Sequence, residues 1–228
     1  MGTYSELLND IEKLKNPKLS EFSKNILNTP IEVKGIYSKD VKTLIKKYRD
    51  ININHFELDK FYELNFLYFA IGLQQKKTLK EQVDFVFENK EHLLSWAITD
   101  STYQYFKVSV FEKTLPTIKL FISQKEEFLI RYGYLFLFKF LKDTTIYDTI
   151  FGLFKNSDFF YVKMVEAWIL SYLYIYDSKK TYDYLFSSDI SFDIKNMAIR
   201  KILDSYRVNK NEKEKVKALR TLLKDNKK

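Results

Sequence analysis

The sequence predicts an all-α fold. Three observations predict it: helical periodicity along nearly the whole chain, little turn-forming material, and a heavy aromatic content. Apolar residues recur at spacings of three and four through most of the 228 residues. Only 5 Gly and 3 Pro punctuate them, too few for the tight turns of an all-β protein. The 20 Phe and 17 Tyr exclude a disordered chain, which is poor in aromatics, and can fill a sizeable or continuously stacked core.

The segments can be taken in order. "SKDVKTLIKKY" predicts a helix with Ser38 as N-cap and Val41, Leu44, Ile45 and Tyr48 on one stripe. "HFELDKFYELNFLYFAIGL" reads as a helix ending near Gly72, and "TLKEQVDFVFENK" as a shorter one capped by Thr78. "HLLSWAITDSTYQYF" reads as part of a helix, and further helices are expected around 116–123, 126–142, 144–155, 159–176, 178–187 and 191–205. The last piece, "NEKEKVKALRTLLKDNKK", is an amphipathic basic helix whose tail is expected to fray. Helices joined by short breaks form antiparallel hairpins, and these recur roughly every 35–40 residues, the interval of HEAT-type repeats. The predicted architecture is an α-solenoid of HEAT-like antiparallel helical hairpins with a concave groove, built as a single domain over residues 1–228.

Charge and missing residue types narrow the function. The net charge is +8, from 38 Lys and Arg against 30 Asp and Glu, which suits a polyanionic partner as well as simple solubility. With no cysteine there are no disulfides or thiolate metal sites, as expected of a cytoplasmic protein. The start, "MGTYSELLNDIEKL", carries acids early and no apolar signal core. The runs "FLIRYGYLFLFKFL" and "FFYVKMVEAWILSYLYIY" are broken by Arg131, Lys139, Lys163 and Glu166, so buried helices fit them better than membrane spans. No Gly-rich phosphate loop or HExxH stands in the chain, and His55 and His92 lack a second ligand at metal spacing. No metal, cofactor or obligatory protein partner is expected, and nothing requires more than a monomer.

Polar and aromatic residues in the greasy helices carry what chemistry there is. Trp96 and Asp100 are spaced i, i+4 and share a helix face. Arg131 and Trp168 follow at intervals close to one hairpin each, so on a solenoid all four would line one groove. The alternative is that both tryptophans fill the core and Asp100 pairs structurally with Arg131. Tyr103 and Tyr105 read more simply as packing.

An ordered set of segments resembles the AlkD family of DNA alkylation repair proteins, HEAT-like solenoids that include DNA glycosylases. The set is "VKGIYSKDVKTLIKKY", "SWAITDS", "EFLIRYGYLFLF", "FFYVKMVEAWILSYL" and "AIRKILDSYRVNKNEK", and it spans roughly Val33 to Arg220. The resemblance implies that Trp96 and Trp168 hold the deoxyribose of a lesion nucleotide, that Asp100 is the catalytic carboxylate, and that Arg131 contacts the DNA backbone. It also implies recognition through backbone and sugar, with the base unflipped and no deep base pocket. Two features depart from the family pattern: Ala97 stands where an acid often does, and the basic pairs are thinned to Arg131.

A single carboxylate suffices for such a reaction. Ordinary glycosidases use a second carboxyl group to protonate the leaving oxygen. A purine alkylated at N3 or N7 is already cationic and needs no acid to leave. Asp100 would stabilise the oxocarbenium-like sugar and place a water, while the indole faces attract the same positive sugar. The DNA grip would come from Lys34, Lys39, Lys42, Lys107, Arg131, Lys163, Arg200 and Arg207. The expected partner is therefore duplex DNA with alkylated bases. A non-catalytic DNA-binding solenoid and a protein-interaction scaffold are the alternatives.

Overall fold

The computed structural model describes residues 2–225, so the fraying expected of residues 226–228 lies outside them. Among the described residues there are helices and connecting segments and no strand. None of these helices is long and apolar enough to cross a membrane. The chain divides into two compact units, residues 1–109 and 110–228.

Unit 1 begins with α1 (Tyr4–Leu14) and α2 (Pro17–Leu27), followed by α3 (Ser38–Lys47). Thr3 caps α1 in a reciprocal box with Glu6, and Asn16 caps α2 ahead of Pro17, each satisfying first-turn N–H groups. Asp10 ties α1 to α3, accepting from Lys47 Nζ at 2.6 Å and from the Tyr48 hydroxyl at 2.7 Å. Ser38 is not the N-cap of α3. Tyr37 is, in extended backbone with no side-chain cap, so the helix starts one residue earlier than its Ser-first pattern predicts.

Next come α4 (Tyr62–Gln75), α5 (Leu79–Glu88) and α6 (Trp96–Thr102). α4 packs on α3, α5 and α6 and is apolar nearly all round. It begins later than its sequence pattern suggests and runs past Gly72. That glycine is a packing residue: a Cβ there would lie 2.3 Å from the Phe85 ring of α5. Thr78 caps α5 as its sequence predicts, in a box with Glu81. The buried Glu63 of α4 fixes the segment after α2, accepting from Lys34 N at 2.9 Å and Gly35 N at 2.8 Å. Gly35 sits there at φ +76, where a side chain would be strained and would also meet Ser20 N at 2.3 Å.

Unit 2 contains α7 (Phe111–Ile122), α8 (Glu127–Phe136), α9 (Tyr147–Phe151), α10 (Phe160–Tyr176), α11 (Ser178–Ser187), α12 (Phe192–Asp204) and α13 (Lys210–Asp225). Within it α7 packs on α8, and α8, α10 and α12 are successive neighbours, as are α11 and α13. Every second helix thus lies beside the last, the layering of helical-hairpin repeats. The helices expected at 159–176, 178–187 and 191–205 stand almost where periodicity puts them. Those expected at 126–142 and 144–155 are shorter, each partly replaced by a 3-10 turn, at Leu137–Lys139 and Thr144–Ile146.

One buried acid of unit 2 titrates in an unusual range. Glu166 of α10 accepts from Lys155 N at 3.0 Å through Oε1, while its Oε2 has no hydrogen-bond partner. Burial pushes this carboxyl up to about 7, against the opposing pull of Tyr134, the Lys155 N–H and Lys163. The unfolded chain ionises this group near its ordinary 4.5, the folded chain near 7, so between those values the folded state binds the extra proton. Its stabilising contribution is therefore complete below pH 4.5, declines to pH 7 and is flat above, by about 3 kcal/mol in all. Urea unfolding of wild type from pH 4 to 8 should show this decline, and Glu166→Gln should lack it.

Candidate active site

α6 is short, and the chain secures both of its ends. Ser95 stands at its N-cap and accepts from Ala97 N at 3.3 Å. The Thr102 hydroxyl donates back to Ile98 O at 2.6 Å in the last turn. Two further bonds fix α6 against α2: Ser95 Oγ donates to Leu27 O at 3.2 Å, and Trp96 Nε1 donates to Ile26 O at 3.1 Å. Those carbonyls belong to the last turn of α2, where a helix has no acceptor partners of its own. The indole is thereby held by its edge, and its ring stays partly exposed.

Trp96, Asp100 and Lys42 line one pocket of about 630 Å³ within unit 1. Its rim carries three unusually bare apolar side chains, Phe22 at 63%, Ile26 at 45% and Tyr37 at 51% exposure. Phe66, Ala97, Ser101 and Gln104 line it as well. The wall that carries Asp100 borders this partly open space. Its position depends on α2, which forms much of the rim and whose partnership with α6 is not written in any local pattern.

Asp100 is partly exposed, with its Oδ1 3.3 Å from the Thr99 hydroxyl. That hydroxyl has one proton and lies closer to Trp96 O, at 2.7 Å, so it contributes little to the carboxylate. In the same lining, burial pushes the Tyr62 phenol far above its ordinary range, and the charges of Glu63 and Asp100 push it further. Tyr62 remains neutral there.

The other sequence-predicted residues have definite surroundings. Lys34 is engaged by Glu12 at 3.1 Å and Glu32 at 2.9 Å, and these acids raise its pKa. Lys42 is exposed at the pocket and makes no salt bridge among the described residues. In unit 2, Arg131 is buried and donates through Nη1 to Tyr161 O, while Glu127, one turn earlier on α8, accepts from Tyr161 N at 2.6 Å. Together they grip both sides of one residue at the start of α10. Trp168 is partly exposed, its ring 4.4 Å from that of Phe138. Lys163 lies 3.9 Å from Asp193. Of the seven named residues, the structure brings Trp96, Asp100 and Lys42 together at the pocket of unit 1, with Lys34 elsewhere in that unit; Arg131, Trp168 and Lys163 stand in unit 2. No group of His, Cys, Asp or Glu suited to a metal ion occurs among the described residues.

Residues 7–189 match the family of DNA alkylation repair enzymes. The chain belongs to that family. No curated protein matches the chain in sequence. Family membership gives DNA as the substrate and alkylation repair as the enzyme's task, and it covers α6 and the whole pocket.

Ser95 and Ile26 are the site residues that sequence reading misses. A serine before a helix start signals a cap, but its second bond, to a carbonyl 68 positions away, has no local signal. The edge bond of Trp96 can be tested directly. Trp96→Phe keeps the aromatic bulk and removes the donor. It should lower the unfolding free energy by about 1 kcal/mol and speed amide exchange in the last turn of α2. Unchanged exchange there would mean the bond does not hold the two helices.

Proposed function

We propose that this chain is a DNA glycosylase that hydrolyses the N-glycosidic bond of positively charged N3- or N7-alkylated purines in duplex DNA. The observation that carries the reading is the pairing on α6 of a partly exposed carboxylate, Asp100, with an edge-fixed indole, Trp96, one turn away in the wall of a pocket. Membership of the DNA alkylation repair enzymes supplies the substrate class.

The chemistry follows from the leaving group. In an N-alkylated purine the alkyl group has already done what a proton does elsewhere, so the base departs neutral and takes the bonding pair. The deoxyribose left behind develops positive charge at C1′ and O4′. A fixed carboxylate beside that charge stabilises the transition state more than the ground state. Water adds to C1′, its proton passes to Asp100 or solvent, and an abasic site remains. Trp96 contributes an electron-rich face for the same cation. Lys42, exposed at the rim, suits a flanking phosphate. Lys34 and Lys163 keep the backbone-binding part given them above, though carboxylates already engage both. In unit 2, Trp168 keeps the sugar-binding part that the resemblance gives it. Arg131 keeps the backbone-contacting part that the resemblance gives it, although it is buried and donates to Tyr161 O.

The test is base release from duplexes containing N7-methylguanine or N3-methyladenine. Asp100→Asn should cut the single-turnover rate by about 10²–10³-fold and leave DNA affinity intact. Uracil, whose departure still needs a proton, should not be released at a comparable rate. Binding without release by the wild type would instead make the chain a non-catalytic reader of damaged DNA.

A further inference from the structure

We infer that Arg207 binds a DNA phosphate flanking the nucleotide whose sugar Trp168 takes, and that the rings of Tyr172 and Tyr176 hold it ready for that contact. The inference deepens the glycosylase reading: it rests on the DNA substrate and on the part given to Trp168, and adds the group that takes the phosphate. Trp168, Tyr172 and Tyr176 follow at intervals of four on α10 and share one face of that helix. The Trp168 ring lies 6.3 Å from that of Tyr172, and Phe138 packs against both, at 4.4 Å and 5.5 Å. Arg207, in the segment between α12 and α13, covers the far end of this row. Its guanidinium stands 5.5 Å from the Tyr172 ring centre and 5.1 Å from that of Tyr176. A hydrogen bond with the Tyr176 side chain adds to the hold.

An anion site needs a donor that is already ordered and a charge that is not already neutralised. Other cations of the chain lack one or the other. Arg49 is paired with Asp50, Arg131 is buried on Tyr161 O, and Arg220 donates to Asn196. Lys34 and Lys163 face carboxylates. Arg207 is exposed and makes no salt bridge among the described residues. Rings immobilise it instead of acids, and a ring face attracts a guanidinium while leaving its full charge in place. A side chain ordered before binding loses less freedom on binding. Of its five N–H donors, those not used by Tyr176 can meet two oxygens of one phosphate side by side. Trp168, partly exposed, is one ring away, so the sugar and phosphate contacts fall on the same stretch of strand.

The test uses binding alone. The probe is a duplex carrying tetrahydrofuran, a stable abasic sugar, in place of the lesion, with a neutral methylphosphonate set at one phosphate at a time along that strand. Arg207→Gln should weaken binding to the all-phosphate duplex by about tenfold. It should also lower the slope of log affinity against log salt by about one. Arg207→Lys keeps the charge without the planar fork, and should recover the slope but not the affinity. Methylphosphonate at a phosphate flanking the tetrahydrofuran should weaken wild type by a similar factor and leave Arg207→Gln nearly unchanged, since that contact is already lost. A merely structural arginine would show no such coupling, because a disturbed fold weakens binding to every duplex alike. Wild-type affinity in either variant, equal losses on every duplex, or no coupling at a flanking phosphate overturns the inference and leaves the glycosylase reading standing. If wild type binds these duplexes but releases no alkylated base, the glycosylase reading falls, and the coupling still decides whether Arg207 holds the phosphate.

Discussion

Two hydrogen bonds, Ser95 Oγ to Leu27 O and Trp96 Nε1 to Ile26 O, hold together the parts of unit 1 that matter for its chemistry. A helix as short as α6 has little stability of its own, because nucleation costs more than one or two turns return. The last turn of α2 has the complementary deficit, carbonyl groups that no helical N–H can reach. Each element therefore supplies what the other lacks. Lys24 O receives the N–H of Asn28, which closes α2 in the left-handed conformation at φ 49, and Ile26 and Leu27 receive α6. Because the indole is fixed by its edge, its face and the carboxylate one turn further on keep a constant relation. The pocket is the space this junction leaves open.

The same solution recurs with acids in place of hydroxyl and indole. Helices that are apolar all round, such as α4 and α10, bury themselves well but offer nothing to the backbone of the breaks beside them. A buried glutamate on such a helix meets that need. Glu63 takes two N–H groups of the segment before α3, and Glu166 takes the N–H of Lys155. Glu127 and Arg131 act as a pair on Tyr161. Each carboxylate in the interior is costly unless it is bonded, and the difference between two bonds at Glu63 and one at Glu166 is physically meaningful. The second oxygen of Glu166 is left without a partner, and its carboxyl holds its proton to about 7.

Much of this was legible in sequence, and what was not has a common cause. Periodicity located α10, α11 and α12 almost residue for residue, because long amphipathic or wholly apolar runs leave little freedom. It misjudged α4, where Gly72 looked like a stop and is instead the place where Phe85 needs room. The spacing of Trp96 and Asp100 put both on one helix, and both indeed face one pocket. The pocket itself could not be read, since it depends on a pairing of α2 with α6 across some seventy residues. A lone glutamate inside "FYELNFLYFAIGL" or "VKMVEAWILSYL" does carry a signal: an acid in an apolar helix has to be bonded to something. The sequence does not say to what.

The composition of the pocket also bears on how substrates would be chosen. A lining of Phe22, Ile26, Tyr37, Phe66 and Trp96 has few groups with which to read one base edge against another. Apolar walls discriminate poorly between molecules of similar shape, whereas buried polar groups reject a mismatched partner by being left unpaired. What this site does possess is a carboxylate and a neutral phenol in one lining, an arrangement sensitive to charge rather than to hydrogen-bond pattern. Selection would then fall on the electronic state of the lesion. Under the glycosylase reading, a cationic purine would leave without an acid and generate a sugar cation that Asp100 would stabilise. An intact purine lacks that positive charge, so its departure would still need a proton.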